Sequence, residues 1–204
     1  KKAFTRERTS MEELKKMISG KNLRIMFTEG WDLRVIKAAQ RLAKEGVVIP
    51  VLNGSRKDIS EKAAEYHIDI ADIEIMEKET YPHMDEMILR MVELRKGRLS
   101  ALECADLLEK PQYFATMCLA MDEVDGLIGG ARITLRDTLR AALQLIKAKE
   151  GYDIVSSCFL MSKGNRRYIL GDCSVNINPS AEDLVDITMQ CAKTAQAFGI
   201  APRV

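Results

Sequence analysis

Short apolar runs alternate with longer amphipathic segments along the first 150 residues. The runs at 23–27, 47–52 and 127–128 predict buried strands, and 73–76 is a further short candidate. The segments between them follow the 3.6-residue period of a helix that buries one face, and the face after the first run carries Val35, Ala38, Ala39 and Leu42. Repeated strand and helix units predict a largely parallel sheet with helices on both faces, joined by right-handed crossovers.

Capping residues predict where the helices of the first half begin and end. Residues 10–13 have the Ser-x-x-Glu pattern of a capping box, and the short helix they open is expected to stop at Gly20. Asp32 is expected to cap the next helix and Gly46 to end it. A third helix is predicted to start around 58–61.

Similar signals continue along the chain. Pro82 suits the first turn of a helix that reaches about Arg95. A second capping box at 100–103 predicts another helix. Pro111 is expected to break the chain before an amphipathic helix over 112–121.

The character of the sequence changes after a predicted helix at 135–147. The polar stretch 148–151 is typical of a domain boundary, so we expect an N-terminal α/β domain at 1–149 and the first part of a second α/β domain at 150–204. The last three residues suggest the start of another strand. We therefore expect the natural chain to continue and the second domain to be incomplete here.

The second predicted domain opens with strand signals. Residues 153–162 and 167–170 predict an antiparallel hairpin, followed by a polar loop at 171–179. Ser180 with Asp183 then predicts the capped start of a helix.

Composition and charge exclude several classes of protein. The net charge of +1 gives no field that would attract nucleic acid or an anionic membrane, and charges interrupt every apolar run. The five cysteines form no CxxC pair and only two histidines are present, so neither a disulfide framework nor a metal site is indicated. The charged start of the chain lacks a secretory signal, and we expect a cytoplasmic protein whose thiols are small buried hydrophobes.

The segment 129–140 is the first candidate for chemistry. Gly129 and Gly130 follow a predicted strand and precede a helix, an arrangement in which backbone N–H groups approach an anion. Arg132, Arg136 and Arg140 are spaced by four and would project from one side if the helix began early, and guanidinium groups suit phosphate. The alternative is a tight turn followed by a solvated basic face.

Two further segments give weaker signals. The basic helix end at 93–98 is explained by the helix dipole alone, and the polar loop at 172–179 has the composition of many ordinary turns. Neither His67 nor His83 belongs to a triad pattern, and the chain has no Walker motif, GxGxxG or Gly-x-Ser-x-Gly elbow.

Together, many segments in a fixed order resemble the phosphate acetyl/butyryltransferase family, most closely its acetyl branch. They cover nearly the whole chain and include 24–30, 32–35, 113–117, 125–131, 137–140, 159–161, 172–176, 178–179, 192–195 and 198–200. The resemblance implies two α/β domains of the isocitrate/isopropylmalate dehydrogenase-like type, each a three-layer αβα sandwich, with a cleft between them. It also implies a homodimer that moves an acetyl group reversibly between coenzyme A and inorganic phosphate in acetate metabolism. Coenzyme A is then a substrate, and no cofactor or metal is expected.

The same resemblance assigns substrate-binding residues. Arg140 matches an arginine in the family's Asp-Thr-Leu-Arg block, and Arg95 matches one that follows Glu-Leu, although Arg98 is an alternative because the spacing differs by one residue. The full predicted set is Arg140, Arg95, Gly130, Thr138 and Arg132. The family's catalytic serine, arginine and aspartate are expected after Val204, so no catalytic residue is assigned within the chain.

Three positions depart from the family pattern. Thr28 and Ala141 each replace an expected proline, and Arg132 stands where histidine or asparagine is common. These departures leave two alternatives open, a phosphate butyryltransferase and a non-catalytic acyl-CoA sensor like the transferase-like domain fused to malic enzymes. A dehydrogenase of the same superfamily is disfavoured because the chain lacks an acidic cluster for a divalent metal.

Overall fold

The computed structural model describes residues 12–163 and 166–204. These residues form two compact units, Ile18–Lys147 and a second unit that joins 12–17 to Ala148–Val204. The capping box predicted at 10–13 begins outside the described residues, and the described part of that helix spans 12–18. Within the described part of the chain, no helix combines the length and the apolar character needed to cross a bilayer. The boundary near 149 as a division between the family's two domains stays a prediction.

The larger unit is built on a four-stranded parallel sheet, as the sequence predicted. Its strands are β1 (Arg24–Phe27), β2 (Ile49–Asn53), β3 (Glu74–Met76) and β4 (Gly126–Ile128), in the order β3-β2-β1-β4. The helices of this unit are α1 (Leu33–Glu45), α2 (Arg56–Glu65), α3 (Met84–Leu94), α4 (Ala101–Leu108), α5 (Pro111–Ala120) and α6 (Leu135–Leu145), with a 3-10 turn at Lys78–Thr80.

The two faces of the sheet bury separate cores. Met26 and Val51 pack with residues of α3 to α6, whereas Phe27 and Leu52 pack with residues of α1 and α2. Successive strand residues point to opposite faces, which explains why neighbours in sequence enter different cores. Because the strands are parallel, their carboxyl ends meet at one edge, and the loops at that edge include the glycine segment that follows β4.

Helix α5 differs from its prediction. Pro111 is the first residue of the helix rather than a break before it, a position that suits proline because the first N–H has no helical partner. The helix is also not amphipathic, because it packs between α4 and α6 and buries a continuous run at 113–118. At α2 the predicted start was three residues late, since Ser55 is the cap and its Oγ accepts the N–H of Asp58.

The smaller unit contains the predicted hairpin and its helix. Strands β5 (Cys158–Lys163) and β6 (Arg166–Gly171) pair antiparallel, and α7 (Ala181–Ala197) packs on β6. Ser180 and Asp183 form the predicted capping box. The helix approaches the strand so closely that a Cβ on Gly171 would lie 2.7 Å from Cys191 Sγ, so a larger residue here would force the thiol to move.

Two of the five cysteines are small core residues, as expected. Cys104 and Cys118 are buried in the larger unit, and burial raises the pKa of the Cys118 thiol to about 12. Cys158, Cys173 and Cys191 are half-buried in the smaller unit, so the prediction of buried thiols holds for only part of the set.

Candidate functional site

The glycine segment after β4 encloses an anion that belongs to the protein itself. Glu29 follows β1 and is 1% exposed. Its Oε1 accepts the backbone N–H groups of Gly130 at 3.0 Å, Arg132 at 3.0 Å and Ile133 at 2.9 Å. Gly130 has a φ of 103°, a backbone conformation that favours glycine. The N–H groups that the sequence suggested for a bound anion therefore hold Glu29.

A second buried carboxylate fixes the same loop from the side of α1. Asp32 caps α1 as predicted, and its Oδ2 also accepts Nε of Arg132 at 2.8 Å. Arg34 donates to both oxygens of Asp32 and to the carbonyl oxygen of Ala131 at 2.7 Å. The bonds from Arg34 hold the pKa of Asp32 well below its ordinary value, against the opposing effect of burial, and Arg132 adds to them.

The three arginines of this segment do not share a face. Helix α6 begins only at Leu135, with Thr134 as its cap, so Arg132 precedes the helix that carries Arg136 and Arg140. Thr138 donates its hydroxyl to the carbonyl of Thr134 at 3.1 Å, so that donor is used within the helix. Arg132 and Thr138 therefore support the loop and the helix start.

Arg95 and Arg140, which we call the arginine pair, both lie close enough to Tyr113 for their charges to act on it. Nη1 of Arg95, at the end of α3, donates to the carbonyl of Gln144 at 3.3 Å. The hydroxyl of Tyr113 donates to Oε1 of Gln144 at 2.8 Å, and Arg140 precedes Gln144 by one helical turn. Burial raises the pKa of Tyr113, while the positive charges of Arg140 and then Arg95 act against that rise. Both guanidinium groups therefore lie within electrostatic reach of one phenol.

Arg95 has an unpaired polar group within the part of the chain that the structure describes. Within the described residues its Nε is buried and has no hydrogen-bond partner. A buried donor without a partner costs on the order of 1–3 kcal/mol, so a movement of the side chain that brought this N–H to an acceptor on a ligand would be favourable. Arg98, the alternative candidate, is exposed and follows Gly97 beyond the helix end. The geometry favours Arg95.

The arrangement suits anion binding and offers no nucleophile. Among the described residues, Arg140 forms an ion pair with Asp137, whose Oδ1 lies 3.4 Å from its Nη1. Two cations against one carboxylate give a locally positive surface on a protein of almost zero net charge. Planar guanidinium groups match the geometry of phosphate oxygens, so a phosphate-bearing molecule is the ligand class that fits.

Sequence reasoning did not assign several residues that shape this region. Tyr113 and Gln144 were hidden within helical segments whose polar groups have no distinctive spacing. The position of Glu29 is itself a sequence signal. A carboxylate just after a buried strand must find donors at the carboxyl edge of the sheet. Glu29 gives the glycine segment a structural role that its sequence alone did not indicate.

Thr28 occupies a position where the family resemblance implies a proline. Its backbone N–H donates to the carbonyl of Ile128 at 2.9 Å, a bond that proline cannot make. Its hydroxyl is buried and lacks a hydrogen-bond partner among the described residues. The backbone hydrogen bond therefore stabilises the fold relative to a proline at this position, whereas the unpaired buried hydroxyl destabilises it.

We expect Thr28→Val to leave the free energy of unfolding unchanged or to raise it by about 1 kcal/mol, because it removes an unpaired buried hydroxyl of the same shape. Thr116→Val is the matched control, since that buried hydroxyl donates to the carbonyl of Gln112 at 2.6 Å. The control should lose about 0.5–1.5 kcal/mol in urea unfolding. A greater loss in Thr28→Val than in the control would show that the Thr28 hydroxyl has a stabilising partner.

The sequence is similar to a known protein family and to individual members of it. The sequence profile of the phosphate acetyl/butaryl transferase family matches residues 9–204. The phosphate acetyltransferase of Bacillus subtilis is 37% identical over 187 residues, which are 92% of this chain and 58% of that protein. The phosphate acetyltransferase of Staphylococcus epidermidis is 39% identical over 191 residues, covering 94% of this chain and 58% of its own length.

Solved structures show the same extent of similarity. The EutD phosphotransacetylase from Staphylococcus aureus aligns with a TM-score of 0.89 at 36% identity, over 96% of this chain and 59% of that one. A phosphotransacetylase from Streptococcus pyogenes aligns with a TM-score of 0.90 at 36% identity, over 96% and 60% of the two chains. The chain therefore spans about three fifths of the length of these relatives.

Proposed function

Because the chain belongs to the phosphate acetyl/butaryl transferase family, we propose that its protein transfers an acetyl group reversibly between coenzyme A and inorganic phosphate. The structural observation that carries the proposal is the arginine pair with the unpaired Nε of Arg95. Acetyl-CoA, coenzyme A, acetyl phosphate and inorganic phosphate all carry phosphate oxygens, and the pair supplies matching donors. The relatives described above carry the name phosphate acetyltransferase, which favours acetyl over butyryl transfer.

In the proposed reaction the arginine pair binds and orients a phosphate-bearing substrate. Acyl transfer from acetyl-CoA needs a phosphate oxygen to attack the thioester carbonyl, and the reverse direction needs a thiolate to attack acetyl phosphate. Both directions pass through a developing oxyanion and need a base or acid for the thiol proton. Fixing the phosphate lowers the entropic part of the barrier, and Tyr113 helps to hold the helix α6 residues in place.

The remaining catalytic groups are proposed to come from the part of the protein that corresponds to the other two fifths of its relatives. The arginine pair with Tyr113 and Gln144 has no side chain suited to act as the base at neutral pH. The alternative of a non-catalytic acyl-CoA sensor would keep the pair and lack the base. We also propose the cytoplasm as the compartment and a homodimer as the assembly, in line with the free cysteines and the family resemblance.

The proposal is tested by measuring phosphate-dependent thiol release from acetyl-CoA by the complete protein, with butyryl-CoA in a parallel assay. We expect acetyl phosphate to form, and acetyl-CoA to be preferred. The 204-residue chain alone is expected to bind coenzyme A without turnover. A complete, folded protein that binds acetyl-CoA but forms no acetyl phosphate would contradict the enzymatic function and favour the sensor.

A further inference from the structure

A cavity of about 580 Å³ lies beside the turn between β1 and α1, and we call it the Trp31 cavity. Its lining includes Trp31, Asp32, Arg34, Lys62, Tyr66 and Arg132. Helices α1 and α2 cover the face of the sheet on which this cavity lies, whereas the arginine pair belongs to the face covered by α3 to α6. Cavities of a few hundred cubic ångströms are typical of small-molecule sites. The cavity is therefore separate from the proposed substrate site.

The lining of the cavity carries an excess of positive charge. Three of its residues are cations, and Asp32 is the single carboxylate among them. Asp32 uses its oxygens to orient the two guanidinium groups, because it accepts Nε of Arg132 and both Nε and Nη2 of Arg34. Among the described residues, the two terminal nitrogens of Arg132 have no hydrogen-bond partner. Donors held in place by a buried carboxylate and still free at their tips are arranged for an anion.

The cavity also offers two aromatic surfaces. The ring of Trp31 packs on the backbone of Gly54, where an added Cβ would lie 3.2 Å from Cε3 of the indole, and Gly54 has a φ of 143°. This close packing holds the ring in one orientation. Tyr66 is 47% exposed, with Nζ of Lys37 at 5.8 Å from its ring centre. A fixed indole next to an accessible phenol provides flat faces on which a planar heterocycle can stack.

We propose that the Trp31 cavity binds an adenine nucleotide, with its base against the aromatic rings and its phosphates at Arg34, Arg132 and Lys62. A ligand with both features fits the lining best, because a simple anion would not use the aromatic rings and an apolar ligand would not use the cations. The same chemistry belongs to a free nucleotide such as ADP and to the nucleotide part of coenzyme A. The inference does not depend on the proposed transferase activity.

The single tryptophan of the sequence makes the test direct. Because Trp31 is the only one, its emission on excitation at 295 nm reports this cavity alone. We expect ADP to change that emission saturably in the 204-residue chain, whereas adenosine or inorganic phosphate alone should bind at least about tenfold more weakly, since each makes half of the contacts. Coenzyme A titrated in parallel distinguishes the two sources of the nucleotide.

Two variants of α2 provide the matched comparison. Lys62→Ala should weaken ADP binding about tenfold, because it removes a cation from the lining. Lys57→Ala makes the same charge change at an exposed residue of the same helix outside the lining and should leave the affinity unchanged. The proposal is overturned if ADP at millimolar concentration leaves the emission unchanged, or if Lys62→Ala binds like the wild type. It is also overturned if Arg140→Ala abolishes the signal, since ADP would then occupy the other site.

Discussion

Replacement of Arg140 by alanine is expected to raise the KM for coenzyme A about 10- to 100-fold in the complete protein. The basis is the loss of charge-assisted hydrogen bonds to a phosphate, worth about 1.5–3 kcal/mol, which corresponds to that range of affinity. The side chain of Arg140 is 45% exposed, and its ion pair within the described residues is a 3.4 Å contact with Asp137. Its removal should therefore reduce binding with little effect on the free energy of unfolding.

The control for this experiment lies one turn earlier on the same helix. Arg136→Ala makes an identical change in net charge on α6, but the side chain is exposed and away from Gln144. We expect its KM to stay within about twofold of the wild type, because Arg136 lies two helical turns from Gln144, whereas Arg140 lies one turn away. Arg140→Lys should recover only part of the affinity, since it keeps the charge and loses the planar fork. Equal KM values in Arg136→Ala and Arg140→Ala would contradict a direct contact between Arg140 and the phosphate of coenzyme A.

Replacement of Glu29 by alanine is expected to lower the free energy of unfolding by about 3 kcal/mol or more. The carboxylate is buried and accepts three backbone N–H groups on one oxygen, so its loss leaves three donors without their acceptor. The loop after β4 should then open. Helix α6, which begins three residues after Arg132 and carries Arg140, should lose its fixed start, and affinity for coenzyme A should fall with stability.

Amide hydrogen exchange localises this effect. The amides of Gly130, Arg132 and Ile133 should exchange much faster in Glu29→Ala, while those of β2 keep the protection set by the rest of the unit. Glu29→Gln retains an acceptor oxygen without the charge and should show a smaller loss of protection. Unchanged exchange at the three amides in Glu29→Ala would mean that water or another group replaces the carboxylate without cost.

The fold was predictable because its strands and helices have consistent local signals. Asp32, Ser100 and Ser180 cap helices in the structure, as their sequences indicate. The prediction was wrong for α5, where burial between two helices removes the polar face on which periodicity depends. Local signals describe an isolated helix, and they cannot report how many neighbours will cover it.

The candidate site was predictable in its cations and not in its arrangement. Family resemblance pointed to Arg95 and Arg140, but their common surroundings depend on Tyr113 of α5 and on Gln144, one turn after Arg140 on α6. The spacing of Arg132, Arg136 and Arg140 suggested a common face, and the late start of α6 removes it. Contacts between segments about 30 to 50 residues apart have no signature in a single sequence. The need of Glu29 for donors could be read from its place after a buried strand, but the identity of those donors, 101 to 104 residues further along the chain, had to come from the structure.

The most direct test of the account is a crystal structure of the protein with coenzyme A or inorganic phosphate bound. The account predicts phosphate oxygens within hydrogen-bonding distance of the guanidinium groups of Arg95 and Arg140, with Nε of Arg95 paired. Phosphate density elsewhere, including density in the Trp31 cavity alone, with both guanidinium groups of the arginine pair unliganded, would contradict it.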